Sequence, residues 1–322
     1  MRTFSEIRDL GALVRYALGQ DIAGRSLLVF PDDTFIVSFP KSGNTWVRFL
    51  VANLLHPGEA VTFQNIERII PDMHAQSKRF IRNIPRPRII KSHEYFDPSY
   101  RRVIYIVRDP RDVLLSSYNF HRKQRQIPDN CPLEQYVTRF LSGDVWSAYA
   151  SWSQNVSSWL ATRRQLPAGG LFGNWRDSVS SWLNSPMGSC DFLMLRYEAM
   201  LANPLRELTR IVAFLQIDVS PELLSQAVIR SSAGELRKLE QSQARKWILT
   251  KNTRQDIPFI GAAKAGGWRS KLPAECVSEI EKSFGSLMTA LGYELTSGGQ
   301  RRAEPDFDRP AIQGQIPLAR LS

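Results

Sequence analysis

Cysteine is scarce in this chain of 322 residues: only Cys131, Cys190 and Cys276 occur. The number is odd, the three are far apart and no CxxC spacing links them, so neither a disulfide framework nor a zinc site is expected. A reducing, cytoplasmic setting is the simple reading of such usage. Long apolar runs are missing as well. The longest, residues 103–107 and 211–215, have five members, against the roughly 20 that a membrane-spanning helix requires. Charges at Glu6, Arg8 and Asp9 fall where a secretory leader is apolar, so neither a leader nor a membrane span is expected. HExxH and similar ligand spacings are absent, and no metal is implied. Acidic residues number 31 against 42 basic ones, a formal net charge of +11. That surplus favours an anionic partner, whether nucleic acid, acidic lipid or a phosphate-bearing cofactor. The basic residues are scattered, with only short clusters such as residues 121–125, so no nucleic-acid surface is expected.

What the chain does have is alternation. Residues 34–39 form a β-branched and aromatic run bounded by Pro31 and Pro40, which predicts a strand. Residues 88–92, 102–107 and 191–196 are further strand candidates, the second nearly continuous in apolar side chains, as suits a strand buried on both faces. Helical spacing follows between them, at Val47, Phe49, Leu50, Leu54 and Leu55, over residues 205–215 and over residues 274–291. Strand–helix alternation predicts an α/β fold with a parallel sheet. Trp152, Val156 and Trp159 are echoed by Trp175, Val179 and Trp182, a spacing that puts each trio on one helix face, as two similar core-facing helices or, alternatively, as a small tandem insertion beside a substrate site. From residue 296 the composition turns to Gly, Pro and charge without periodicity. The expected division is therefore a single domain over residues 1–295 and a flexible C-terminal tail over residues 296–322.

Between the first strand and the first helix lies Phe39-Pro40-Lys41-Ser42-Gly43-Asn44-Thr45-Trp46. A tight loop there aims backbone N–H groups and a helix start at one point, which attracts phosphate. Lys41 adds a mobile positive charge, Ser42 and Thr45 add hydroxyls, and Gly43 permits close backbone approach. The Walker pattern GxxxxGK[ST] is absent, since the lysine precedes the glycine by two residues.

Residues 40–46, Pro-Lys-Ser-Gly-Asn-Thr-Trp, resemble the 5′-phosphosulfate loop of the cytosolic-type sulfotransferase family, including bacterial-like members of it. That family uses 3′-phosphoadenosine-5′-phosphosulfate (PAPS) as sulfuryl donor. Residues 105–118, with Arg108 and Ser116 eight positions apart, resemble its 3′-phosphate block. Pro258-Phe259 followed by Gly266-Gly267-Trp268-Arg269 resemble its C-terminal block, and residues 195–200 are similar to its Tyr-Glu-Asp-Met segment. The matches run in order from residue 34 to about residue 293.

The resemblance implies a P-loop-NTPase-like parallel sheet flanked by helices. It implies PAPS as co-substrate, held by Lys41, Ser42, Gly43, Asn44, Thr45, Trp46, Arg108, Ser116 and Tyr197. Lys91-Ser92-His93 is similar to the family's Lys-Thr-His segment, which implies His93 as catalytic base and Lys91 on the sulfonate, with Lys41 meeting charge on the leaving oxygen. A histidine at a strand's end suits a base that must work near neutral pH. Two segments depart from the pattern. Gly261-Ala262-Ala263 replaces the usual Arg-Lys-Gly on the 3′-phosphate, with Lys264 next in line to substitute, and Ser231-Ser232-Ala233 lacks the usual aromatic. No dimerisation motif is found, so the oligomeric state stays open. The expected function is sulfuryl transfer to a hydroxyl or amine of a small-molecule acceptor, whose pocket would come from loops near residues 60–85, 120–150 and 235–260. The alternatives are a P-loop kinase using ATP and a non-catalytic protein that binds PAP, the desulfated nucleotide.

Overall fold

The computed structural model describes residues 18–146, 172–184 and 190–296. Four parallel strands form its sheet: β1 (Thr34–Ser38), β2 (Ile89–Ser92), β3 (Arg102–Val107) and β4 (Asp191–Arg196), in spatial order β2-β1-β3-β4. β1 is the pivot. It pairs with β2 on one side, Thr34 opposite Ile89, and with β3 on the other, Thr34 opposite Arg102. The chain thus moves in opposite directions from β1, and the crevice beyond its carboxyl end is where open α/β sheets bind ligands. Three strands match their predicted starts. The second begins one residue later, at Ile89, although the Arg88 carbonyl still accepts the Thr34 amide at 2.9 Å and its guanidinium binds the buried Asp33 carboxylate.

Pleating splits the core into two layers. Phe35 and Val37 of β1 with Val103, Tyr105 and Val107 of β3 face one side; Ile36, Ile104 and Ile106 face the other. The second side is covered by helices α1 (Asn44–Leu55), α8 (Pro204–Leu215) and α9 (Pro221–Arg230). The first side is covered by α4 (Pro110–Lys123), α5 (Leu133–Ser142), α6 (Trp175–Leu183) and α11 (Ala274–Ala290). Short helices α2 (Ile66–Ile69), α3 (Lys78–Arg82), α7 (Tyr197–Ala202) and the longer α10 (Ala233–Gln243) complete the set among the described residues.

Local chemistry explains the helix starts that matter. Asp109 caps α4 by accepting from the Arg111 amide, and Pro110 takes the first helical position, where a missing N–H costs nothing. Asn203 and Pro204 repeat that device at α8. In α6 the second tryptophan trio behaves as expected: Trp175, Val179 and Trp182 are buried on one face. The first trio, Trp152 to Trp159, lies outside the described residues, as do residues 297–322 of the expected tail. At the tail's first residue, the Thr296 amide and hydroxyl donate to Glu281.

Candidate active site

Each strand ends just before a residue or loop singled out by the sequence. Ser38 leads into the loop carrying Lys41 to Trp46, Ser92 is followed by His93, Val107 by Arg108, and Arg196 by Tyr197. Parallel strands bring all four to one edge of the sheet.

The phosphate loop is bent tightly. Lys41 has φ 69° and Gly43 has φ 105°. A Cβ on Gly43 would lie 2.5 Å from Cδ2 of Tyr197, so only glycine fits beneath that ring. Asn44 anchors the turn from within. Its side-chain amide donates to the Ile36 carbonyl at 3.0 Å and to Ser38 Oγ at 3.3 Å. The side-chain NH2 is thus committed to the strand, and the first-turn amides of α1 remain to meet an anion. Ser42 is fully buried and its hydroxyl has no hydrogen-bond partner among the described residues. Thr45 and Trp46 are half-buried in the first turn of α1, the indole 5.8 Å from the Tyr197 ring at 76°.

Arg108 stacks over the Tyr197 ring, Cζ 4.2 Å from its centroid, and donates to the Lys41 carbonyl at 3.2 Å. Among the described residues it has no carboxylate within ion-pair distance, and its Nε–H is buried without a partner. The nearby acids are engaged elsewhere. Asp109 binds Arg111, and Asp112 accepts the amides of Gly266 at 2.7 Å and Trp268 at 3.0 Å. Asp112 thereby ties the C-terminal block to the helix that follows Arg108. Ser116 is half-buried in the second turn of α4. Lys264 is exposed, and its carbonyl lies 3.5 Å from Arg108 Nη2.

A loop from residue 254 to residue 264 is pinned across this edge. The Lys123 ammonium donates to the carbonyls of Arg254 and Ile257, each at 2.7 Å. Glu240 accepts the amides of Phe259 and Ile260, and Arg237 donates to the Gly261 carbonyl at 2.6 Å. The loop delivers Phe259 to Lys41, whose Nζ sits 4.3 Å from that ring and 4.4 Å from the ring of Phe120. Burial, then the charges of Arg108 and Lys91, lower the Lys41 pKa to about 7. Two ring faces, rather than a carboxylate, hold this ammonium, so its charge is not neutralised locally.

His93 lies beside β1. Its Nδ1 is 2.6 Å from the Ser38 carbonyl oxygen. A carbonyl only accepts, so Nδ1 carries the proton and Nε2 keeps its lone pair. Burial, with Lys91 and His74 adding to it, pushes the imidazole pKa well below its usual value and keeps it neutral. Lys91 is buried and donates to Asp72 at 2.6 Å. Burial pushes the Asp72 carboxyl up, but the cations around it, Lys91 foremost, outweigh this and hold it well down. The sequence reading missed Asp72, His74 and Arg237. His74 lies in a segment without strand or helix periodicity, and the spacing of these residues to their partners (19, 19 and 24 positions) carries no local signal.

The wall beside His93 is aromatic: Phe172 packs edge-on at 5.6 Å, with Trp146 6.0 Å beyond it. Among the described residues no group of three His, Cys, Asp or Glu side chains is placed to hold a metal ion, and no helix is long and apolar enough to cross a membrane.

Comparison with known proteins follows the same outline. A family model described as Sulfotransferase domain matches residues 31–292. The chain is 24% identical over 270 residues to Sulfotransferase 1 family member D1 of Mus musculus, covering 79% of this chain and 82% of that protein. It is 26% identical over 282 residues to 3-beta-hydroxysteroid sulfotransferase of Cavia porcellus, covering 83% and 88%. In fold it is similar to mouse sulfotransferase SULT7A1 crystallised with PAP, with TM-score 0.57, 21% identity and coverage of 82% and 87%. It is also similar to retinol dehydratase in complex with androsterone and PAP, with TM-score 0.60, 16% identity and coverage of 90% and 87%.

Proposed function

We propose, for a chain that belongs to the sulfotransferase domain family, that it transfers the sulfuryl group of PAPS to a hydroxyl or amine of a small-molecule acceptor, with His93 as general base. The observation that carries this reading is the bond from His93 Nδ1 to the Ser38 carbonyl. It links the base to the residue that opens the phosphate loop, and it leaves Nε2 as the ring nitrogen with a free lone pair.

The residues divide the work as follows. The buried Ser42 hydroxyl and the amides at the start of α1 suit the 5′-phosphate, and Arg108, whose Nε–H has no partner and whose charge no carboxylate pairs among the described residues, suits the 3′-phosphate. Fit is supported by the two orphaned donors, Ser42 Oγ and Arg108 Nε, which a bound phosphate would satisfy. Trp46, half-buried, offers its ring to the adenine, and the buried Tyr197, packed between Gly43 and Arg108, sits edge-on behind it. As the acceptor oxygen attacks sulfur, its proton passes to His93 Nε2. The bond from sulfur to the phosphate oxygen breaks, and PAP leaves with that oxygen's charge. Lys41 offsets the growing charge, an electrostatic role that needs a cation whose charge no carboxylate cancels. Lys91, drawn toward Asp72, would reach the sulfonate with its remaining N–H groups. The aromatic wall around His93 suits an acceptor whose reactive group sits on an apolar ring. The domain is assigned to residues 1–295 and the remainder to a tail.

The test is turnover. PAP release is followed with PAPS and a panel of phenols, sterols, primary alcohols and arylamines, for the native chain and for His93→Ala. The variant should lose about 10² to 10⁴-fold in kcat while binding PAP within twofold of the native chain. Full turnover in His93→Ala removes His93 from the role of base.

A further inference from the structure

The segment before β2 in sequence runs alongside it in space. Lys91 donates its amide to the Pro71 carbonyl at 2.9 Å, Met73 donates its amide to the Lys91 carbonyl at 3.2 Å, and Asp72 and Lys91 form an isolated parallel bridge. This pairing sets a register. Asp72 lies against Lys91, and two residues on, His74 lies against His93. The side chains use the register: the Asp72 carboxylate takes the Lys91 ammonium at 2.6 Å, and His74 Nε2 lies 2.9 Å from the His93 amide nitrogen. The two imidazoles stack with centroids 5.8 Å apart and planes 16° from parallel.

The amide of His93 only donates, so His74 Nε2 must be the acceptor and Nδ1 must carry the proton. Nδ1 faces Glu94 Oε1 at 3.9 Å, and the Asp72 carboxylate accepts the His74 amide at 2.9 Å. The His93 amide therefore sets the His74 tautomer, and the Asp72 carboxylate holds the His74 backbone. Burial, opposed by Asp72 and reinforced by Lys91 and Arg25, lowers its pKa to about 3, so it remains an acceptor at neutral pH.

On the reading of His93 as base, we propose that His74 is its positioning residue: by accepting the His93 backbone N–H it fixes the chain immediately after β2, so that Nδ1 meets the Ser38 carbonyl and Nε2 faces the acceptor. The imidazole of His93 is thus located by two bonds to two different segments, one through its backbone and one through its ring. Without the first, the ring can pivot about the second. A displacement of about 1 Å between base and reacting atom is enough to cost on the order of 10²-fold in rate.

Two substitutions separate this from a packing role. His74→Leu keeps the volume and removes the acceptor. His74→Gln keeps an acceptor oxygen near the place of Nε2. His74→Leu should lower kcat by about 10 to 100-fold with PAP affinity and acceptor KM within twofold, and His74→Gln should restore kcat to within about fivefold of the native chain. In a His93→Ala background, His74→Leu should leave the residual rate unchanged, because a residue that acts through His93 has nothing left to position. Should His74→Leu fail to fold, Gln against the one-carbon-shorter Asn carries the same comparison, with Gln active and Asn impaired. Native-like kcat in His74→Leu, a Gln variant no better than Leu, or a full further loss in the His93→Ala background overturns the proposal. Full turnover in His93→Ala alone overturns the base assignment and this proposal with it.

Discussion

Binding of an anionic nucleotide should draw a proton onto Lys41. In the free protein, burial and the charges of Arg108 and Lys91 lower its pKa from 10.5 to about 7. At pH 8 only about one molecule in ten carries that ammonium charge. A phosphate dianion at the Ser42 to Thr45 loop offsets the charges of Arg108 and Lys91 and gives the buried ammonium a counter-charge, which returns the group toward its ordinary value. Uptake on binding is then about 0.9 proton per site at pH 8 and about 0.5 at pH 7. PAP itself contributes little at pH 8, since the second ionisation of a phosphate monoester lies near pH 6. The buried imidazoles of His74, His93 and His121 are all shifted well below 6.5 and stay neutral. Because the bound state prefers the protonated lysine, PAP affinity should be highest below pH 7. Above pH 7 it should fall, approaching about tenfold per pH unit. Titration calorimetry at pH 8 in two buffers of different ionisation enthalpy measures the uptake directly. Lys41→Met, which keeps an apolar stem between Phe120 and Phe259, should abolish it. No uptake in the native chain, or the same uptake in Lys41→Met, would refute the reasoning.

Two further outcomes follow from the C-terminal block and the histidines. Gly261 is exposed and a Cβ there meets nothing within 4 Å, so Gly261→Arg should fold and add a charge-assisted bond to the 3′-phosphate. That bond is worth about 1.5–3 kcal/mol and should tighten PAP more than adenosine 5′-phosphate. Lys264→Ala should weaken PAP selectively if Lys264 already serves that group, and binding assays of both nucleotides that show no change in preference would detach this loop from the cofactor. Acid should unfold the protein readily. The buried imidazoles have pKa values depressed on folding, so the unfolded chain takes up protons below about pH 6.5 that the native chain refuses. Stability present above that pH is lost as pH falls, by about 1.4 kcal/mol per unit for each of His74, His93 and His121. Calorimetric melting from pH 7 to pH 5 should show a falling Tm, and a flat Tm would show these groups to be solvated.

The frame of the fold was legible because its signals are local. β1 is a β-branched run between prolines, β3 is continuously apolar, and α1 shows helical spacing from its first turn. The phosphate loop was legible for the same reason: eight consecutive residues carry its chemistry. What surrounds the loop was not. Asp72 and His74 reach Lys91 and His93 only because a segment without periodicity pairs beside β2. Arg237 meets Gly261 across two helical turns and a loop, and Phe120 and Phe259 enclose Lys41 from elements that are distant in sequence. Such contacts depend on topology, and no pattern in the neighbouring residues announces them. The commitment of the Asn44 side chain to Ile36 and Ser38 belongs to the same class, since a loop asparagine beside a glycine reads equally well as a ligand or as an anchor.

The nucleotide that the carboxyl edge of the sheet accepts tests the account most directly. Thermal unfolding is followed with the native chain in PAP, and separately in ATP with Mg²⁺, each over a concentration series. Family membership, the orphaned Ser42 hydroxyl and the unpartnered Nε–H of Arg108 predict that PAP stabilises the chain, by about 2.7 kcal/mol when present at 100 times its Kd, and that Mg-ATP at the same concentration does so far less. A clear stabilisation by Mg-ATP with none from millimolar PAP would contradict the assignment of this site to PAPS.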